Sequence, residues 1–287
     1  MISDGDYHEA SDMSSTLPDF LVVGGMKAGT TTLKHYLRQH PSIFMYHTEI
    51  HFFEKDDVYS EGLDWYTGHF AEAPADSVVG EKTPGYGYSR DAMRRIAQDV
   101  PGVKIVWIFR NPVDRAYSNY WHAVNSGEER AGFEEAVHRE LDTQSQPWEL
   151  RYCMRSRYVE HVRTYLELFR HEDMCVLYLE ELNADPESEL GRLYDFLGVE
   201  RQLPPDMEPK HRTRIPKSIG VQRFLRRVVR RVIGRRAYRK IKRLNQRALH
   251  GYPDLDPELR ARLVEYFRPY NEELFELVGR RARGWDG

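Results

Sequence analysis

FLVVGGMKAGTTTL, Phe20 to Leu33, is the stretch that decides the fold. Its apolar start reads as a buried strand, its glycines as a turn, and its threonines as the opening of a helix. From Thr30 to His40 the spacing is helical, with Leu33, Tyr36 and Leu37 on one face and Pro41 as the stop. A strand, a glycine turn and a helix start together make an anion site. The first N–H groups of the helix lack partners within it, and its dipole favours negative charge. Ala28 and Gly29 shape the turn, Lys27 adds a mobile cation, and Thr30, Thr31 and Thr32 offer hydroxyls. A Walker A loop would place lysine directly after its second glycine. Here Thr30 follows Gly29, and Lys27 stands two residues before it.

Outward from this loop, strands are expected at Ser42–Met45, Val78–Pro84, Val103–Phe109 and Met174–Leu179. VKIVWIF, Val103 to Phe109, is a β-branched and aromatic run suited to burial on both faces. Helices are expected at Asp91–Asp99, from Pro112 onward, and near 132–141, 156–170, 187–197, 219–233 and 257–278. Strands alternating with helices imply an α/β fold with a central parallel sheet flanked by helices. Residues 1–18 read as a flexible leader and 19–287 as one domain. The proline-rich stretch Leu203–Pro216 is its weakest boundary.

Composition narrows the class. The 287 residues are 40% hydrophobic, enough for a sizeable core. The longest apolar runs are far too short to span a bilayer. The polar, acidic start MISDGDYHEASDMSS is the opposite of a secretory signal. Cys153 and Cys175, at no metal-like spacing, read as reduced thiols, and the expected location is cytoplasmic. Net charge is −3, yet Lys210 to Arg247 holds 16 basic residues and no acidic ones. An acidic body therefore carries one intensely basic segment. Within it Val221, Phe224, Leu225, Val228, Val229, Val232 and Ile233 alternate with arginines as an amphipathic cationic helix. Four roles fit that helix: a solvated face, a lipid or anionic acceptor site, a lid over the nucleotide, or peripheral membrane contact through residues 219–236. No aromatic–basic interleaving points to nucleic acid.

A second anion element is FRNPVDRAYSNYWH, Phe109 to His122. It puts Arg110 at a strand end and Ser118 one to two turns into the next helix, over the sheet edge where open α/β folds bind ligands. Arg110 brings a planar fork for phosphate oxygens and Ser118 a hydroxyl. Arg115 and Tyr117 read as surface and packing residues.

Together these two elements resemble the sulfotransferases that use 3′-phosphoadenosine 5′-phosphosulfate (PAPS), with a P-loop-like fold. The first is similar to their 5′-phosphosulfate loop and the second to their 3′-phosphate motif. TEIHFFE (Thr48–Glu54) and GEKTPGY (Gly80–Tyr86) resemble the heparan-sulfate sulfotransferase branch; RYVEHVRTYLELF, LYLEEL, FLGV and the closing FRPYNEELFELVG keep the same order. The resemblance implies Glu49 as the base that takes the acceptor proton and Lys27 on the leaving phosphate. It places Lys82 beside the acceptor and sulfuryl group, and His51 as the residue that orients Glu49 or touches the acceptor. Lys27, Ala28, Gly29, Thr30, Thr31 and Thr32 would hold the 5′ end of the nucleotide. Arg110, Ser118 and Tyr158, with Arg214 and Lys217, would hold the rest. No metal is implied. Some relatives carry a basic residue where this chain has Thr31, and HFFD reads HFFE with Glu54; both changes weaken a polyanionic acceptor. Ser156 stands where glycine usually precedes the Tyr158–His161 pair. The implied acceptor is a hydroxyl on a sugar, lipid or small metabolite. The competing readings are a P-loop kinase with a deviant loop, and a membrane- or polyanion-binding module on the same fold.

Overall fold

The computed structural model describes residues 16–143, 146–208, 213–216, 246–249 and 252–286. Five strands form its main sheet: β1 (Phe20–Gly24), β2 (Ile43–Met45), β3 (Val78–Lys82), β4 (Lys104–Phe109) and β5 (Met174–Tyr178). Their order is β2-β3-β1-β4-β5, and every neighbouring pair is parallel. All five lie where the apolar runs of the sequence put them.

Side chains alternate across this sheet because a strand has a period of two. Leu21, Val23, Ile105, Trp107, Phe109, Val176 and Tyr178 pack on one face. They meet α4 (Arg90–Asp99), α7 (Tyr158–Leu166) and the end of α10 (Pro257–Val278). Phe20, Val22, Val106, Ile108, Cys175 and Leu177 pack on the other, against α1 (Thr30–Leu37) and α9 (Pro186–Leu197). A third cluster joins α5 (Pro112–Ser126), α6 (Phe133–Thr143) and the first half of α10. Both cysteines are buried and free.

The sequence reading omits the short helices α2 (Asp56–Tyr59), α3 (Leu63–Thr67) and α8 (Leu179–Ala184), each too brief to show a period. It also omits an antiparallel pair, β6 (Thr213–Pro216) with β7 (Gln246–Leu249). The expected cationic helix at 219–233 lies outside the described residues. Among the described residues, no helix is long and apolar enough to cross a membrane.

Strand order fixes where a ligand belongs. From β1 the chain crosses to β2 and β3 on one side, then returns to β4 and β5 on the other. The crevice between the carboxyl ends of β1 and β4 is thus the topological switch point, where open α/β sheets take their ligands. Gly24 closes β1 there because the Trp107 ring fills the space of a side chain. A Cβ would lie 2.5 Å from Cζ3.

Candidate active site

The glycine loop leaves β1 at that crevice. Gly29 caps α1 with φ of 98°, a left-handed conformation open to glycine at little cost. No acidic residue occupies the first turn of α1, so its N-terminal N–H groups keep their positive field. Thr30 and Thr32 are buried, Thr31 partly exposed, and Ala28 fully buried against the core.

Opposite, β4 ends at Arg110 and Asn111 starts α5. The Asn111 side chain accepts from the Val113 N–H at 3.0 Å, and Pro112 takes the first helical turn, where its missing N–H costs nothing. The tail after α10 fixes this corner. Glu180 accepts from the Asn111 N–H (2.8 Å) and the Trp285 indole (3.1 Å), and Asn111 Nδ2 donates to Gly284 O.

Lys27 and Arg110 face one another across the crevice without carboxylate partners among the described residues. Burial holds the Lys27 amine below its ordinary value, and the charges of Arg110 and then Arg115 lower it further. A cation so crowded by cations marks a site built for an anion. Arg115 corrects the sequence reading. It is fully buried rather than at the surface, donating from Nε to Ser156 Oγ (2.6 Å) and from Nη1 to Met26 O (3.5 Å). It thereby ties α5 and the Ser156 turn to the glycine loop.

Across the loop, toward β3, sits a linked set of titratable side chains. Lys82 is buried at the end of β3 and donates from Nζ to Glu49. His51 reaches Glu49 through Nε2 at 3.5 Å and Glu54 through Nδ1. Glu49, His51, Glu54 and Lys82 thus form one linked set. Sequence reasoning saw Glu54 only as a departure from an expected aspartate. Its longer side chain closes onto the imidazole, and His51 adopts φ of 61° to present both nitrogens. Below them Glu81 is fully buried, accepting from Tyr66 (3.0 Å) and Thr83 (2.9 Å). Tyr86, bonded to the same carboxyl, accepts from the Phe52 N–H at 3.1 Å and so pins the loop that carries the set.

Other expected site residues fall as follows. Ser118 is buried on α5 with its Oγ 3.2 Å from Tyr252 Oη, a residue that no motif singles out. Tyr158 is buried: it stacks on Phe109 at 4.2 Å, donates to Arg110 O at 2.9 Å, and its ring lies beside the glycine loop, 3.5 Å from where a Cβ on Gly25 would stand. Arg214 lies on β6 opposite Ala248. Lys217 is outside the described residues.

Residues 17–215 match the family described as sulfotransferase domain. The chain belongs to the sulfotransferase family. It is 28% identical over 283 residues to the human heparan sulfate glucosamine 3-O-sulfotransferase 3A1, covering 96% of this chain and 64% of that protein. It is 30% identical to the mouse bifunctional heparan sulfate N-deacetylase/N-sulfotransferase 3, over 92% of this chain and 30% of the relative. The chain therefore spans just under two thirds of the first relative's length and a smaller share of the second's. In fold it is similar to a sulfotransferase from Alicyclobacillus acidocaldarius, with a TM-score of 0.71, 24% identity and coverage of 95% of this chain and all of the other.

Two buried groups of this sulfotransferase set opposing pH dependences. Burial, then Arg115 and Arg155, hold the His161 imidazole down to about 3. Its Nε2 has no partner among the described residues. A lowered histidine contributes stability that is complete above the unfolded value of 6.5 and is lost as pH falls toward 3. The slope approaches about 1.4 kcal/mol per pH unit. Burial raises the Glu81 carboxyl from 4.5 to about 7, so its contribution is complete below 4.5 and falls as pH rises through 7. The two slopes oppose between 4.5 and 6.5, and below 4.5 only that of His161 remains. Urea unfolding at pH 7, 5.5 and 4 is expected to show His161→Phe flattening the acid limb, with little change at pH 7. An unchanged acid limb would assign acid lability to other groups.

Proposed function

We propose that this sulfotransferase transfers the sulfuryl group of PAPS to a hydroxyl on a carbohydrate, lipid or small-molecule acceptor, leaving adenosine 3′,5′-bisphosphate. The observation that carries the reading is Glu49, held by Lys82 and His51 on the β3 side of a glycine loop whose cations lack carboxylate partners among the described residues.

The residues fit both ends of the nucleotide. Lys27 and the first N–H groups of α1 suit the 5′-phosphosulfate, and Arg110 with Ser118 suits the 3′-phosphate. Sulfuryl transfer asks the protein chiefly for positioning and charge stabilisation, as phosphoryl transfer does. Glu49 removes the acceptor hydroxyl proton as the acceptor oxygen bonds to sulfur. The bond from sulfur to the bridging oxygen breaks, and its electrons remain on the 5′-phosphate, where Lys27 offsets the added charge. Lys82 steadies the sulfuryl oxygens between these centres. His51, braced by Glu54, fixes the direction of the Glu49 carboxylate. The relatives are named for heparan sulfate. The acceptor-side stretch from Thr48 to Trp65 carries six acidic residues and one lysine, which favours a less anionic acceptor here.

Calorimetry tests the donor assignment. Adenosine 3′,5′-bisphosphate is expected to bind with no metal added, while magnesium–ATP is not. Tight magnesium–ATP binding without affinity for the bisphosphate would replace this reading with a kinase-like one. Labelled PAPS incubated with pooled carbohydrate, lipid and metabolite fractions then identifies the acceptor.

A further inference from the structure

One further polar group, the Tyr88 phenol, lies against the glycine loop. The 3₁₀ turn Tyr86–Tyr88 follows Lys82 by a few residues and brings the Tyr88 phenol against the glycine loop. Its oxygen accepts from the Met26 N–H at 2.9 Å, and a Cβ on Gly25 would lie 3.3 Å from it. Met26 immediately precedes Lys27. The phenol therefore sits beside the loop at the residue before Lys27, on a turn that begins four residues after Lys82.

Three neighbours fix the ring. The Arg155 guanidinium lies over its face at 4.8 Å, His161 meets it edge-on at 4.8 Å, and Trp148 lies at 5.5 Å. A tyrosine hydroxyl has one proton to donate and lone pairs to accept with. The Met26 amide uses a lone pair, which orients the hydroxyl. Among the described residues its own proton has no acceptor. Met26 meanwhile gives up its N–H to the phenol, so the loop presents a side-chain donor at that point rather than a backbone one.

We propose that Tyr88 donates its hydroxyl proton to an oxygen of the transferred sulfuryl group, adding a donor to those of the loop. The proposal rests on the PAPS-dependent reading above and deepens it. A donor aimed at the sulfuryl oxygens discriminates PAPS from adenosine 3′,5′-bisphosphate, which lacks them. A group that merely supports the loop affects both nucleotides alike.

Calorimetry with both nucleotides on the full chain, wild type and Tyr88→Phe, makes that distinction without knowledge of the acceptor. Tyr88→Phe is expected to weaken PAPS about tenfold, the effect of one lost hydrogen bond to a charged group. Its affinity for the bisphosphate should fall by no more than about threefold, the share owed to the lost Met26 N–H contact. Trp148→Ala, which keeps the hydroxyl, should preserve the PAPS-to-bisphosphate ratio of the wild type. Equal losses for both nucleotides in Tyr88→Phe would make Tyr88 a support of the loop and overturn the proposal, as would no loss for either. A wild type that binds the bisphosphate but shows no Tyr88 effect overturns only this proposal. A wild type that binds neither nucleotide overturns the sulfotransferase reading with it.

Discussion

Glu49→Gln is expected to lower kcat by about 10²–10⁴, the usual contribution of a positioned general base. That loss corresponds to about 3–5 kcal/mol of barrier. The substitution keeps the shape and an oxygen that accepts from Lys82, so the loop from Thr48 to Glu54 should hold its place. It removes the ability to take a proton. Affinity for adenosine 3′,5′-bisphosphate should therefore change by less than about threefold, because Glu49 bonds Lys82 at the end of β3 rather than the glycine loop. The check is single-turnover transfer from labelled PAPS to the identified acceptor, beside calorimetry with the bisphosphate. Full activity in Glu49→Gln would show that Glu49 is not the base and move attention to His51. A parallel loss of bisphosphate binding would show that the carboxylate supports the loop rather than the chemistry.

The sheet was legible because its strands are short apolar runs ended by glycine, proline or charge, a pattern that survives without long-range information. Phe20–Gly24 and Lys104–Phe109 are the clearest cases, each buried along nearly its whole length. The anion loop was legible for a related reason. A left-handed cap at Gly29 and a helix rich in threonine are local features, written in consecutive residues. Contacts between distant segments were not. Glu54 meets His51 within one turn, yet its importance depends on Glu49 swinging toward the same imidazole. Tyr88 reaches Met26 across 62 residues, and Arg115 reaches Tyr152 and Ser156 across about 40. No spacing rule pairs such residues. The burial of Arg115 also runs against the ordinary preference of arginine for the surface, and it is sustained only by acceptors from other elements.

Lys27→Met separates stability from function more sharply than any other single change in the crevice. Lys27 is a partly buried cation near Arg110 and Arg115, and burial first, then their charges, lower its basicity. Removing that charge relieves desolvation and repulsion together, so the variant should unfold at the same temperature as the wild type or a higher one. Anion-binding residues commonly carry such a cost to stability. The bisphosphate reverses the comparison. Loss of a charge-assisted contact to the 5′-phosphate should weaken binding about tenfold to a hundredfold. The shift in melting temperature given by saturating ligand should shrink accordingly. Turnover should fall further, by about 10²–10³, because in the proposed mechanism Lys27 meets more negative charge as the bridging bond breaks than in the bound nucleotide. Thermal unfolding with and without adenosine 3′,5′-bisphosphate checks the first two expectations, and transfer kinetics check the third. A destabilised apo variant that retains its ligand-induced shift would make Lys27 a packing residue of the loop and move the phosphate contact to the N–H groups of α1 alone.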